Sequence, residues 1–326
     1  MPRQILRLVQ EFVEQVQSQK YVTTILKLLI TSLAILYLIR IIPVTSVISH
    51  LSGLGRITAF ILVLAIIGQK LFSTLSLYTL VREATDTRFL TIIEIDAIGY
   101  VTNSVIPTKA GAVLSVPTLL RQYLGISLID GGRIKATQFV YSATYQGIFA
   151  VMGLALTISS LDSKLLPIYS GSSALYISLP ILAIVASRWR SSIVPYLPKI
   201  LTRYSSRSGQ IKFSKKTLVI VSIFTLGYFT MVPIRFYLIS NSYSIHFTWI
   251  GYLTIPMLAY SVTIYPISFG GIGVAEASGT MLLIALGVPP EIAAPIIVTD
   301  RIVSAYIPLT LSGVIAAIGS IRSEVN

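Results

Sequence analysis

The chain has 326 residues, 54% of them hydrophobic and 11% charged, against roughly 45–50% and 25% in an ordinary soluble domain. Its mean hydropathy of +0.81 agrees, and a water-soluble protein of this size would need a polar surface this chain cannot supply. The formal charge of +13 is therefore read as basic loops beside apolar spans, meeting anionic headgroups, rather than as a nucleic-acid site. With no cysteine, disulfides, thiolate metal sites and a thiol nucleophile are ruled out.

Ile5, Leu6, Val9, Phe12, Val13 and Val16 recur at helical spacing between Arg3, Arg7, Glu11 and Glu14, which predicts an amphipathic helix over 1–20 lying on the membrane surface. The first apolar run begins near Val22 and has no small-residue cleavage site, so it reads as a span and not a signal peptide. Spans are expected at 22–42, 57–81, 134–160, 172–188, 217–240 and 292–319. Between them lie two interrupted apolar regions, 89–123 and 248–287, each with two arms around a Pro/Gly-rich centre. The second arms, Lys109 to Arg121 and Ile272 to Gly287, reach only about 20 and 24 Å at 1.5 Å per residue, short of a hydrocarbon core of roughly 30 Å. They are read as re-entrant hairpins.

Basic residues set the orientation. The segment Arg188 to Lys216 holds eight Lys/Arg and no acid; placing it in the cytoplasm gives seventeen loop cations on that side against three (Arg40, Arg56, Lys164) on the other. Both termini are then cytoplasmic. The order span, span, hairpin, span occurs twice from opposite faces, the pattern of an inverted-topology repeat whose interrupted helices meet near the midplane. The expected fold is all-α: one polytopic membrane bundle over 1–326, with repeats at 22–160 and 172–320, six full spans and two re-entrant hairpins.

Eight ionisable residues fall within apolar segments: Lys70, Glu94, Asp96, Lys109, Arg235, Glu276, Asp300 and Arg301. Each costs about 2.5–3.5 kcal/mol at the bilayer centre if unpaired. Glu94, Asp96 and Arg235 are assigned to the interface, where snorkelling relieves the charge, and Lys70 stands between the two readings. The other four define a candidate substrate site. Lys109 sits at the first hairpin's tip, between Asn103 and Gly111, where Pro107 breaks one helix and the next begins, so that a helix N-terminus and a lysine favour an anion. In the second hairpin, Gly270, Gly271 and Gly273 let the backbone turn inside the membrane. Glu276 follows, positioned to cap that helix, to pair with Lys109 or Arg301, or to take up a proton. Asp300 and Glu276 are expected to balance Lys109 and Arg301 when the site is empty.

Signatures of catalysis are missing. His50 and His246 are isolated in expected loops, no Walker motif occurs, and Gly271-x-Gly273 has neither a preceding strand nor a third glycine. No enzyme activity, cofactor or metal is expected.

At the two hairpins the sequence resembles the flippase-like membrane domain of lysylphosphatidylglycerol synthases and its stand-alone bacterial and archaeal relatives. One matching stretch runs from Asn103 to Arg121; the more specific one holds Gly270-Gly271-Ile272-Gly273-Val274-Ala275-Glu276-Ala277, then Leu286-Gly287-Val288-Pro289, then Arg301. The chain departs from the pattern at Lys109 (usually arginine), Ala112 (an acid) and Ala275 (a base), and around Ser142 to Gln146 (charged residues). The resemblance implies a translocator of the cell membrane, with the phosphate headgroup of an anionic lipid or polyprenyl-linked saccharide held at the hairpin tips. An alternative is a scaffold for a membrane glycosyltransferase or lipid-modifying enzyme, itself a homo-oligomer or not; a transporter of a small soluble anion is a third. The sequence stops just past the last span, so lipid aminoacylation is not expected of it.

Overall fold

The computed structural model describes residues 53–105, 111–188, 211–265, 267–268 and 271–325. The expected surface helix at 1–20, the span at 22–42, and the candidates Lys109 and Gly270 lie outside them. Among the described residues there is no strand, and ten α-helices follow one another: α1 Arg56–Val81, α2 Phe89–Val105, α3 Gly111–Leu124, α4 Leu128–Thr157, α5 Leu165–Arg188, α6 Lys215–Ser242, α7 Trp249–Ser261, α8 Val274–Ala285, α9 Pro290–Arg301 and α10 Ile307–Val325. A π-helical turn, Ile302–Tyr306, joins the last two. Five helical stretches are long and apolar enough to cross a membrane: Arg56–Val81, Leu128–Ser160, Leu165–Leu182, Lys215–Ser242 and Pro290–Ile318. Large apolar side chains such as Phe60, Leu182, Val219 and Ile223 are more than half exposed, as a lipid-facing surface requires.

Two spans begin earlier than hydropathy suggests, and polar caps are the reason. Helix α4 starts at Leu128 rather than 134 because the Ser127 hydroxyl accepts the Asp130 N–H at 3.1 Å. Helix α5 starts at Leu165 rather than 172, with the Asp162 carboxylate accepting the N–H groups of Lys164 and Leu165 at 2.9 and 2.8 Å. The first turns of α4 therefore carry Arg133 and Lys135 into the helix.

Each interrupted region is a pair of short helices packed on each other. Their arms have 17 and 14 residues (α2, α3) and 13 and 12 residues (α7, α8), so none exceeds about 26 Å. Helix α1 lies along α6, α4 packs on α7, and α10 packs on α2. The turns after α3 and α8 each hold a left-handed glycine. Gly125 and Gly287 take φ of +68° and +86°, and the following Ile126 and Val288 N–H groups bond back to Leu120 and Leu283 carbonyls at 3.4 and 3.0 Å.

Between lipid-solvated helices, close backbone approach carries much of the packing. A β-carbon on Gly153 of α4 would stand 2.7 Å from the Thr254 carbonyl of α7, whereas one on Gly132 would meet nothing within 4 Å. Gly153→Ala should therefore destabilise the protein by about 1–3 kcal/mol through overpacking, while Gly132→Ala should stabilise it by about 0.5–1 kcal/mol. Thermal unfolding in detergent reads both; equal signs would refute this account of the α4–α7 contact.

Candidate functional site

Five of the expected site residues come together where α8 and α9 meet α6 and α7. Gly271 and Gly273 hold φ of +78° and +82°, turning the chain into α8. The Gly273 N–H donates to Glu276 Oε2 at 2.7 Å, so the carboxylate reaches back to cap its own helix. Its Oε1 accepts from Arg301 Nε at 3.1 Å and from the Tyr306 hydroxyl at 2.7 Å. The π turn places Tyr306 there: it adds a residue to the helix just after Arg301 and brings both side chains to one carboxylate.

Asp300 is fully buried and accepts a forked pair of bonds from Arg235, Nε to Oδ1 at 2.6 Å and Nη2 to Oδ2 at 3.2 Å. The Tyr260 hydroxyl donates to the same carboxylate, and Arg235 Nη1 donates to Gln69 of α1 at 2.5 Å. The Tyr260 ring lies 5.4 Å from the Arg301 guanidinium and ties the two pairs together. Two expectations are corrected here. Arg235 does not snorkel to the interface but is 2% exposed within the bundle. Asp300 pairs with Arg235, and among the described residues Glu276 pairs with Arg301. The cluster spans α1, α6, α7, α8 and α9, and its two cations and two anions cancel.

Asn103, at the end of α2, stands apart from this group. Its side-chain oxygen faces the Ala112 N–H of α3 at 3.5 Å, beside Gly111, and it lines a separate cavity of about 370 Å³ bounded by residues of α1 through α6. Lys70, Asp96, Lys135, Gln138 and Tyr228 line that cavity too. Lys70 Nζ is 4.0 Å from Asp96 Oδ2 and 3.6 Å from the centre of the Tyr100 ring. The Thr74 hydroxyl lies 3.0 Å from the same Asp96 oxygen. Lys135 Nζ donates to Gln138 Oε1 at 2.7 Å, and Gln138 Nε2 donates to the Ser73 carbonyl of α1 at 2.9 Å. Among the described residues, two lysines thus face the cavity with one carboxylate.

Sequence reasoning passed over this cavity. Lys135 was counted among loop cations and Asp96 among interfacial acids. The usable signal was a stripe: Lys135, Gln138, Ser142 and Gln146 are spaced three and four apart on α4, and all four line the cavity. Among the described residues no cluster of three His, Asp or Glu side chains is arranged to hold a metal.

The architecture is that of a membrane-embedded protein of broken helices with ionisable residues gathered inside the bundle. The chain belongs to the lysylphosphatidylglycerol synthase TM region family, which matches residues 24–312. No curated protein matches it.

If the Arg235–Asp300 pair is structural, Asp300→Ala should cost about 3–5 kcal/mol by leaving a buried guanidinium uncompensated. Lys135→Ala, at the cavity wall, should cost less than about 1 kcal/mol. Unfolding titrations in mixed micelles decide this, and equal losses would break the distinction between the two clusters.

Proposed function

We propose that the protein is a non-catalytic translocator of the cell membrane, with both termini cytoplasmic, that carries an anionic lipid or lipid-linked saccharide across the bilayer. The observation that carries this reading is the excess of lysine over carboxylate among the described residues that line the 370 Å³ cavity. A phosphate headgroup entering it meets Lys70 and Lys135, and its charge takes over from Asp96 as the partner of Lys70. Moving an unpaired charge into the bilayer centre costs about 2.5–3.5 kcal/mol on insertion scales; the lysines offset much of that for a phosphate and nothing for a cation. The N-terminal turn of α3 reaches the same wall through Ala112, adding the partial positive charge of a helix start. Lys109, two residues before that helix, is proposed to meet the headgroup at the hairpin tip together with Asn103 and Gly111.

The Gly271–Gly273 turn, with Gly270 before it, and the neutral quartet of Glu276, Arg301, Asp300 and Arg235 are proposed to frame the far side of the headgroup's path. No nucleotide-binding motif occurs in the sequence, so transport in this reading runs down the lipid's own gradient. Family membership supports the membrane setting.

The test is headgroup scrambling in vesicles of phosphatidylcholine with a fluorescent phosphatidylglycerol. Lys70→Ala with Lys135→Ala should slow it at least about tenfold, the equivalent of roughly 1.4 kcal/mol of lost headgroup stabilisation. Wild-type rates in that double variant would remove the cavity as the headgroup site.

A further inference from the structure

Lys70 and Asp96 have a second face. Behind the cavity, a groove of about 220 Å³ runs between α1, α2 and α10, walled by Ile66, Ile67 and Leu71 of α1, Ile93 of α2, and Leu311 and Ile315 of α10. Lys70 and Asp96 line both spaces. Ile67, Leu71 and Leu311 on its lip are 53%, 44% and 51% exposed, so it opens sideways to the surface that faces lipid.

Among the described residues, α6 packs directly on α4, whereas α1 and α10 barely meet. The groove is the gap left by that missing contact. It is apolar along its length and charged only where it joins the polar cavity, which is the profile of an amphiphile: a hydrocarbon tail, then an anionic group.

We infer that this groove seats the apolar tail of the translocated lipid, which enters sideways from the bilayer between α1 and α10, with Lys70 at the junction of tail and headgroup. The inference rests on the translocator reading and adds to it a path and a direction of approach. A tail in the groove places its phosphate beside Lys70, on the cavity side of the Lys70–Asp96 pair, without moving any long helix. A competing occupant is the chain's own apolar segment 22–42.

The experiment uses the full chain in phosphatidylcholine vesicles containing phosphatidylglycerol with a diazirine at the end of one acyl chain. After illumination, adducts should concentrate at Ile67, Leu71, Leu311 and Ile315, above those on Ile223 and Val219 of the outer face of α6. Filling the groove with Leu311→Trp should lower labelling of the remaining groove residues, and the scrambling rate, by about tenfold, the worth of roughly two buried methylenes; labelling of Ile223 should not change. Ile67→Trp provides the same block from the opposite wall if the first variant is poorly folded. Labelling no denser in the groove than on α6 would overturn the inference. So would ready oxidative cross-linking of Leu311→Cys to Ile30→Cys, which is clean in a chain without cysteine. Dense groove labelling without scrambling by the wild-type protein keeps the groove and removes the translocator.

Discussion

A charge inside a bilayer must be answered by another charge, and this requirement organises the second half of the protein. Arg235 and Asp300 answer each other with two short bonds, and Arg301 and Glu276 with one. The remaining valences go to Gln69, Tyr260, Tyr306 and the Gly273 backbone. Every helix that contributes a partner is fixed relative to the others, because separating any two would leave a charge in hydrocarbon. Hydrophobic burial cannot supply this role, since lipid solvates leucine as well as a neighbouring helix does. The quartet and its partners tie α1, α6, α7, α8 and α9 together, and α1 and α6 also wall the cavity.

The broken helices make that arrangement possible. A continuous α8 would carry Glu276 past Arg301; the turn at Gly271 and Gly273, with its positive φ angles, starts the helix where the carboxylate caps it and meets the arginine together. The π turn after Arg301 does the corresponding work for Tyr306. In both places an irregular backbone is tolerated because its polar groups find partners inside the protein.

What could be read in the sequence follows from this physics. Long apolar runs gave the spans, since length and composition are local properties. Pro/Gly centres gave the two hairpins for the same reason, and Glu276 and Arg301 could be paired because a short stretch of chain with a recognisable pattern joins them. The partner of Asp300 could not be found that way. Arg235 lies 65 positions distant on another helix, and nothing local distinguishes an arginine that snorkels from one that folds inward. Lys135 was hidden by its neighbours: beside Asp130 and Arg133 it resembles a loop cation, and only the cap at Ser127 reveals that the helix has already begun. The stripe it starts is legible once that boundary moves.

Two contacts differ in charge. Gln138 follows Gly125 by the same interval as Asp300 follows Gly287. Gln138 bonds to Ser73 on α1, and Asp300 bonds to Arg235 on α6. The first contact is neutral and the second ionic. The ionic contact fills its site with a guanidinium and leaves no charge over; the neutral contact takes less space and lets Lys135 and Lys70 point into the opening. Breaking the neutral contact exposes an amide and a carbonyl, worth about 1–3 kcal/mol, whereas breaking the ionic one strands a buried charge. The α1–α4 contact is therefore the less costly of the two to break. Tyr100 connects the two: Lys70 rests on its ring, and its hydroxyl reaches the Ala305 carbonyl in the π turn at 3.5 Å, next to the residue that holds Glu276. In the proposed translocator, a headgroup that draws Lys70 away from Tyr100 would act beside the neutral contact while the ionic one holds its place.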